Sequence, residues 1–394
     1  MATENNNKTL NVPNLRFPEF NGEWERCSLG EITTNFSRRN KEEVRYPMFS
    51  VTNNRGFVPQ SEQFEDREMV GEDIKAYKII HKNDFAYNPA RINVGSIAKY
   101  NGNEPCMISS LYVCFTADKR LDNEWLIQLL KTPKMNFYYN INGEGGVRVY
   151  LFYPNFARIK TAFPSLQEQQ KISSFLSLLD ERIATQIKII EDLKKLKSAI
   201  THLHFDAAID KYYSAYIGDC IEQVSQRNKD GKVKEVLSVS NKNGFVNQSE
   251  QFEDREIASE DTSNYKVVHT NDFAYNPARI NVGSVARLHN YACGIVSPMY
   301  ICFHTKPMLL PEYFEHIFST SYFRHEMHKR LEGSVRLCLT YDSLCNIKIA
   351  LPSIDEQKQF VSQISAIISK IINEDRLLTL YQTLKRYLLS QVFI

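Results

Sequence analysis

Between Leu166 and about His204 the chain holds neither proline nor glycine, and its apolar residues return in steps of three and four. They are Ile172, Phe175, Leu179, Ile183, Ile187, Ile190, Leu193, Leu196, Ile200 and Leu203. One stripe therefore follows one face of a single long helix. A second run follows at Phe360, Ile364, Ile367, Ile371, Leu378, Tyr381, Leu384 and Leu388. Each helix opens at a serine, Ser165 or Ser353, with Glu168 or Glu356 three residues on, the pattern of a capping box. About 38 residues at about 1.5 Å each predict a rod of roughly 57 Å, far beyond a typical globular helix. So long a stripe needs a second helix beside it, and the two runs are each other's nearest partner. The predicted seam uses Ile172, Leu179, Ile183, Ile187 and Ile190 on one helix, and Phe360, Ile364, Ile371, Leu378 and Leu384 on the other. Asn373-Glu374-Asp375-Arg376 interrupts the second stripe where the first keeps Ile187, a polar layer suited to fixing register or facing another subunit. For two like halves to be related by a two-fold, the helices pair antiparallel.

The rest of the chain has a different texture. Short β-rich runs such as Tyr112 to Phe115 are broken by Asn-Gly, Asn-Pro and Gly-Gly signals. One helix is predicted near Glu124 to Leu130, with a counterpart at Glu312 to Phe318. The organisation read from these patterns is an arm at 1–26, a mixed α/β (α+β) domain at 27–165, a long helix at 166–205, a second mixed domain at 206–353 and a second long helix at 354–394. The arm is polar, then Pro-rich around LRFPEFNGEW, and shows no counterpart in the second half.

Those halves are copies. SVTNNRGFVPQSEQFEDRE from Ser50 returns as SVSNKNGFVNQSEQFEDRE from Ser238, and NDFAYNPARINVGS from Asn83 returns unchanged from Asn271, an offset of 188 in both cases. Gly30 and Gly218, Arg148 and Arg336, and Glu168-Gln169 and Glu356-Gln357 keep the same offset. A period of 188 residues is too long for a solenoid and matches a whole domain with its connector.

A net charge of +2 advertises no polyanion partner, so a nucleic-acid surface here would be a local patch. None of the eight cysteines stands in a CxxC spacing, which argues against zinc and a disulfide framework. Cys114 and Cys302, in YVCF and YICF, read as small buried hydrophobes on strands. No apolar run is long enough to span a bilayer, and a cytoplasmic, reduced protein is expected.

Catalytic readings find little purchase. Tyr87-Asn88-Pro89-Ala90 and Tyr275-Asn276-Pro277-Ala278 are like the NPPY loop of amino-methyltransferases but lack the second proline and the aromatic. No Gly-rich strand-to-helix loop for a methyl donor accompanies them. The acid pairs Glu65-Asp66 and Glu253-Asp254 read as charged, solvated turns, and matched His81 and His269 have no second histidine nearby. Arg39, Asn40, Lys41, Arg91, Asn93 and Lys99 are better candidates, for contacts to nucleic acid. Their partners are Arg227, Asn228, Lys229, Arg279, Asn281 and Arg287. Arginine and asparagine form two-pronged hydrogen bonds to guanine and adenine edges, and lysine serves phosphates. The Lys-rich stretch Lys188 to Lys197 reads equally as a solvated helix face or as one that touches DNA or another subunit.

FPSLQEQQKISSFLSLLDERI at 163–183, echoed by LPSIDEQKQFVSQISAII at 351–368, resembles the conserved helical regions of the specificity subunit of type I restriction-modification enzymes. WERCSLGEI at 24–32 and the segment 83–98 are similar to that family's target-recognition domains. The resemblance implies two globular target-recognition domains joined by two long antiparallel coiled-coil helices. Each domain reads half of a split double-stranded DNA target. It implies no catalytic activity and no cofactor on this chain, with methyl donor, Mg and ATP on partner subunits. Those partners are two methyltransferase (M) subunits and restriction/motor (R) subunits, with no membrane. Family members usually carry dissimilar domains, and near-duplicates here imply a near-palindromic target. The rival reading is a self-sufficient DNA methyltransferase or nuclease with duplicated domains. A third is a coiled-coil scaffold whose end domains bind proteins.

Overall fold

The computed structural model describes residues 11–63, 74–145, 149–212, 214–241, 243–248, 261–333 and 336–394. They form two units, Met1–Ile187 with Arg376–Ile394, and Lys188–Asp375.

In the first unit β1 (Thr33–Phe36), β2 (Phe85–Tyr87), β3 (Ile97–Lys99) and β4 (Val113–Ala117) form an antiparallel sheet in the order β1-β4-β2-β3. Phe85 lies opposite Phe115 in the register, and their rings stack at 5.0 Å. Against this face packs α1 (Asn123–Leu130), whose start is fixed by the Asp122 carboxylate accepting the Trp125 N–H at 2.8 Å. Then comes α2 (Pro133–Asn142), with proline at its first turn and Thr132 as its cap. Its buried face is Met135 and Tyr139. The long helix α3 (Leu166–Lys211) begins in this unit.

The second unit repeats the plan. β5 (Ile221–Val224), β6 (Phe273–Tyr275), β7 (Val285–Arg287) and β8 (Ile301–Thr305) run in the order β5-β8-β6-β7. The Phe273 and Phe303 rings stack at 5.2 Å. Helices α4 (Pro311–Ile317) and α5 (Ser321–Lys329) precede the second long helix α6 (Ile354–Gln391). Among the described residues, Val236–Ser240, Gly244–Asn247, Lys266–His269 and Cys293–Val296 form a second four-stranded sheet in this unit, whereas in the first unit Phe49–Thr52 pairs with Gly56–Pro59 and Lys78–Ile80 with Cys106–Ile108, bridged from Met48 to Met107. Cys114 and Cys302 are fully buried on β4 and β8, and burial pushes both thiols up to about 12.

The helical seam differs in detail from the stripe in the sequence. Helix α3 runs 46 residues, past His204, because Phe205 joins the second unit's core and Ala208 is fully buried. One row among the covered positions of α3 is Ile172, Leu176, Leu179, Ile183, Gln186, Ile190, Leu193, Lys197 and Ile200. On α6 they are Phe360, Ile364, Ile367, Ile371, Glu374, Leu378, Tyr381, Lys385 and Leu388, the same set displaced by 188. Both follow a strict alternation of four and three, a heptad seam. Ile187 is 40% exposed and Leu384 45%, so these two lie off the seam. Their neighbours Gln186 and Lys385 occupy it instead, and Leu176 replaces Phe175. The polar layer belongs to both copies: Gln186 and Glu374 stand at equivalent positions and both are buried.

Within each unit the two helices run antiparallel. In the first, Asp180 pairs with Lys385, and the Arg182 guanidinium lies 5.8 Å from the Tyr381 ring centre. In the second, the His204 ring stacks on Phe360 at 4.2 Å. One residue at the end of the arm has a counterpart in role. Trp24 donates through Nε1 to Glu168 at 3.3 Å, and Tyr212, 188 positions on, donates to Glu356 at 2.7 Å. Arg16 completes the first site with a 2.7 Å ion pair to the buried Glu168.

Candidate nucleic-acid interface

The segment at 88–96 joins β2 to β3, and its copy at 276–284 joins β6 to β7. Asn88 accepts the Ala90 N–H on its side-chain oxygen at 3.0 Å, and Asn276 accepts that of Ala278 at the same distance. These Asx turns use the asparagines of the Asn-Pro-Ala motif for local folding. A short 3-10 turn follows, Ile92–Val94 or Ile280–Val282. It ends at a glycine in the left-handed region, Gly95 (φ 100°) or Gly283 (φ 94°). A Cβ on Gly95 would lie 3.2 Å from the Asn53 carbonyl, so glycine lets the loop rest on the neighbouring turn. Ser96 Oγ donates to the Val51 carbonyl at 2.7 Å, and Ser284 to that of Val239 at 3.2 Å. The backbone is thus held on three sides.

What it displays is a cation. Arg91 and Arg279 are exposed, as are Asn281 and the 54%-exposed Val94 and Val282. Asn93 is half-buried and donates to Asn140 Oδ1 on α2 at 3.0 Å. An exposed guanidinium on a fixed backbone is suited to a base edge or a phosphate.

Other sequence candidates divide. Arg39, Lys41 and Lys229 are exposed, and Arg227 is exposed while donating to the Asn264 carbonyl at 2.8 Å. Asn40 and Asn228 are buried at 0% and 1% exposure, which corrects their reading as DNA contacts. Each amide brackets its own turn, Asn40 bonding both backbone groups of Val44 and Asn228 those of Val233. Lys99 and Arg287 are corrected for a similar reason. The Lys99 side chain is 8% exposed and paired with Glu124 on α1. The Arg287 guanidinium, 13% exposed, binds Glu315 at 3.0 Å and Asn271 at 2.7 Å. These two cations tie β3 and β7 to the helix behind them.

Sequence reading missed the helix beside each loop. Helix α2 packs against the turn Ile92–Val94, and α5 against Ile280–Val282. The signal was present: Phe137 and Ile141 stand one turn apart, off the Met135–Tyr139 face, and both are about 60% exposed.

The acid pairs at 65–66 and 253–254, and Arg148, lie outside the described residues. Among the described residues no group of three His, Cys, Asp or Glu side chains is placed to hold a metal ion, and no helix is long and apolar enough to cross a membrane.

The family model for the type I restriction modification DNA specificity domain matches residues 21–195. No curated protein sequence matches the chain. Solved structures do. The HsdS subunit from Thermoanaerobacter tengcongensis is 14% identical, with 94% of this chain and 96% of that one covered at a TM-score of 0.52. The S subunit of a type I restriction-modification system from M. genitalium is 15% identical, with coverages of 97% and 99% and a TM-score of 0.57. A chain from a structure of complex assembly and conformational transition in the type I R-M system is 13% identical, with coverages of 94% and 97% and a TM-score of 0.59. These likenesses show the fold: two sheet-rich domains and a long helix linking them.

Proposed function

We propose that this chain, whose residues 21–195 match the family model for the type I restriction modification DNA specificity domain, is the DNA-reading, non-catalytic subunit of a methylating and cleaving assembly. It reads a bipartite, near-palindromic target, one half with each unit, and docks two methyltransferase subunits along its helices. Motor-nuclease subunits complete the assembly, and the methyl donor, Mg and ATP belong to the partners. The observation that carries this reading is the repeated loop with its exposed arginine, Arg91 and Arg279, on an identical scaffold. A protein that duplicates one exposed cationic loop is suited to a ligand with two similar halves, and duplex DNA with an inverted repeat is such a ligand. The Asn88 and Asn276 side-chain oxygens each accept an N–H of their own loop, a local folding role that accounts for both asparagines without catalysis.

The test is a methyl-transfer assay on genomic DNA with labelled methyl donor, run on the isolated chain and on the chain co-purified with its methyltransferase subunits. Transfer only by the complex, with sequence-selective binding whose affinity falls with salt, is expected. Transfer by the isolated chain would establish the self-sufficient enzyme instead.

A further inference from the structure

We infer that α2 in the first unit and α5 in the second are the elements by which two otherwise alike surfaces prefer different DNA half-sites. This rests on the DNA-reading function proposed above. The loops are identical in sequence from Asn83 to Ser96 and from Asn271 to Ser284, so both display the same arginine and valine, with Asn281 exposed where Asn93 is tied to Asn140. The helices beside them do not. On the outward face Asn136, Phe137, Asn140 and Ile141 of α2 are replaced, 188 positions on, by Arg324, His325, His328 and Lys329 of α5, and all eight are exposed. The inward face stays apolar, with Met135 and Tyr139 in one helix and Phe323 and Met327 in the other. The buried face changes only from one apolar or aromatic residue to another, so the change in chemical character falls mainly on the exposed side of a helix that packs on a cationic loop, where the loop's ligand meets it.

The chemistry of the two faces is opposite. Phe137 is 61% exposed, Ile141 60% and Val94 54%. Apolar side chains on the helix that packs on the Arg91 loop suit the thymine C5-methyl group, which only the major groove presents, and that groove admits a helix. Arg324, His325 and His328, on the helix that packs on the Arg279 loop, suit phosphate and the guanine N7 and O6 acceptors. Lys329 is paired with Glu326 at 2.9 Å and is the weakest reader of the set. In another divergent segment, Tyr100 to Ser110 against Leu288 to Pro298, part of the difference is buried, at Tyr100, Cys106, Met107 and Ile108 and at Leu288, Ile295 and Val296.

The test uses the full chain in complex with its methyltransferase subunits and a duplex library of random sequence, with the bound fraction sequenced. One variant combines Arg324→Asn, His325→Phe, His328→Asn and Lys329→Ile, which gives α5 the outward side chains of α2. The second unit's preferred half-site should change tenfold or more in relative enrichment, toward the half-site of the first unit, which stays unchanged. Should the variant fold poorly by thermal melting, Phe137→His with Ile141→Lys in α2 should move the first half-site toward the second. An unchanged half-site, or an equal loss on every sequence, overturns the inference. So does unchanged selection with tenfold weaker binding of the methyltransferase subunit, which would make the face a protein-docking surface. Arg279→Ala separates the two levels. If it relaxes the second half-site while the graft does nothing, DNA reading stands and the role of α5 falls. If the unmodified complex enriches no sequence, the reading beneath falls and the inference with it.

Discussion

Trp125 on α1 packs against Phe393, beyond the end of α6, with ring centroids 5.8 Å apart. In the second unit Tyr313 on α4 packs against Phe205 at 5.2 Å. Both residues of the second pair stand at the 188-residue offset, Tyr313 after Trp125 and Phe205 before Phe393. Each domain core is therefore closed by the end of the helix that the other repeat contributes. The first unit takes Leu388, Val392 and Phe393 into its core, and the second takes Phe205, with Ile200 packed against it. The exchange makes the two repeats interdependent.

Phe393→Ala should therefore destabilise the first unit by about 3–5 kcal/mol, the usual cost of emptying a buried phenyl site. Hydrogen exchange read at β2 and β6 separates the units. Protection should fall at Ala86 and hold at Ala274, and the reverse is expected for Phe205→Ala. A loss below about 1 kcal/mol at the affected site would show that the ring contact is dispensable.

A chain cut after Tyr212 keeps one domain and all of α3. It should form a homodimer in which each Phe205 fills the place of Phe393, and Lys197 meets Asp180 as Lys385 does in the intact chain. Sedimentation at micromolar concentration checks this. A strictly monomeric half-chain would contradict the interdependence of the repeats.

Much of this was legible in the sequence, for identifiable reasons. The duplication and the long helices are periodic features, and periodicity survives without coordinates. The exact seam did not. Ile187 lies beside Gln186, and scoring by apolarity alone picks the isoleucine, although the heptad turns the glutamine inward. The same error set Phe175 in place of Leu176. Trp24 and Tyr212 share a role through one polar atom on dissimilar rings, which no residue match would reveal. Asn40 and Arg91 are equally identical between the copies, yet one brackets a turn and the other faces outward. Identity between copies cannot separate a side chain kept for folding from one kept for binding.

Arg91→Ala and Arg279→Ala should each weaken specific binding by about 1–3 kcal/mol and relax selection in one half-site only. Binding titrations on targets altered in either half decide it. An equal loss on all sequences with a shallower salt slope would reassign both arginines to phosphate.

Asp84 and Asp272 should respond oppositely to mutation. Asp84 is paired with Arg38, whereas the position equivalent to Arg38 is Gln226. Burial raises the Asp272 carboxyl above its ordinary value, with the His269 N–H and nearby histidines opposing. Its favourable contribution is therefore present at low pH and is lost as pH rises through the raised value. Asp272→Asn should stabilise the second unit at neutral pH, and the gain should vanish below about pH 4, where the carboxyl is protonated folded or unfolded. Asp84→Asn strips Arg38 of its partner and should cost about 1–3 kcal/mol at neutral pH. Denaturant unfolding of both variants between pH 4 and 8 checks the contrast, and a stabilising Asp84→Asn would contradict it.

The most direct measurement is methylation mapping of DNA from cells carrying this chain with its methyltransferase subunits. Two units that display the same arginine loop should give two methylated half-sites in inverted orientation, about one helical turn apart from centre to centre. At most one or two base pairs should break the symmetry, in the positions that α2 and α5 face. Two unrelated half-sites would contradict this, and would make the repeated loops scaffold rather than the surface that reads DNA.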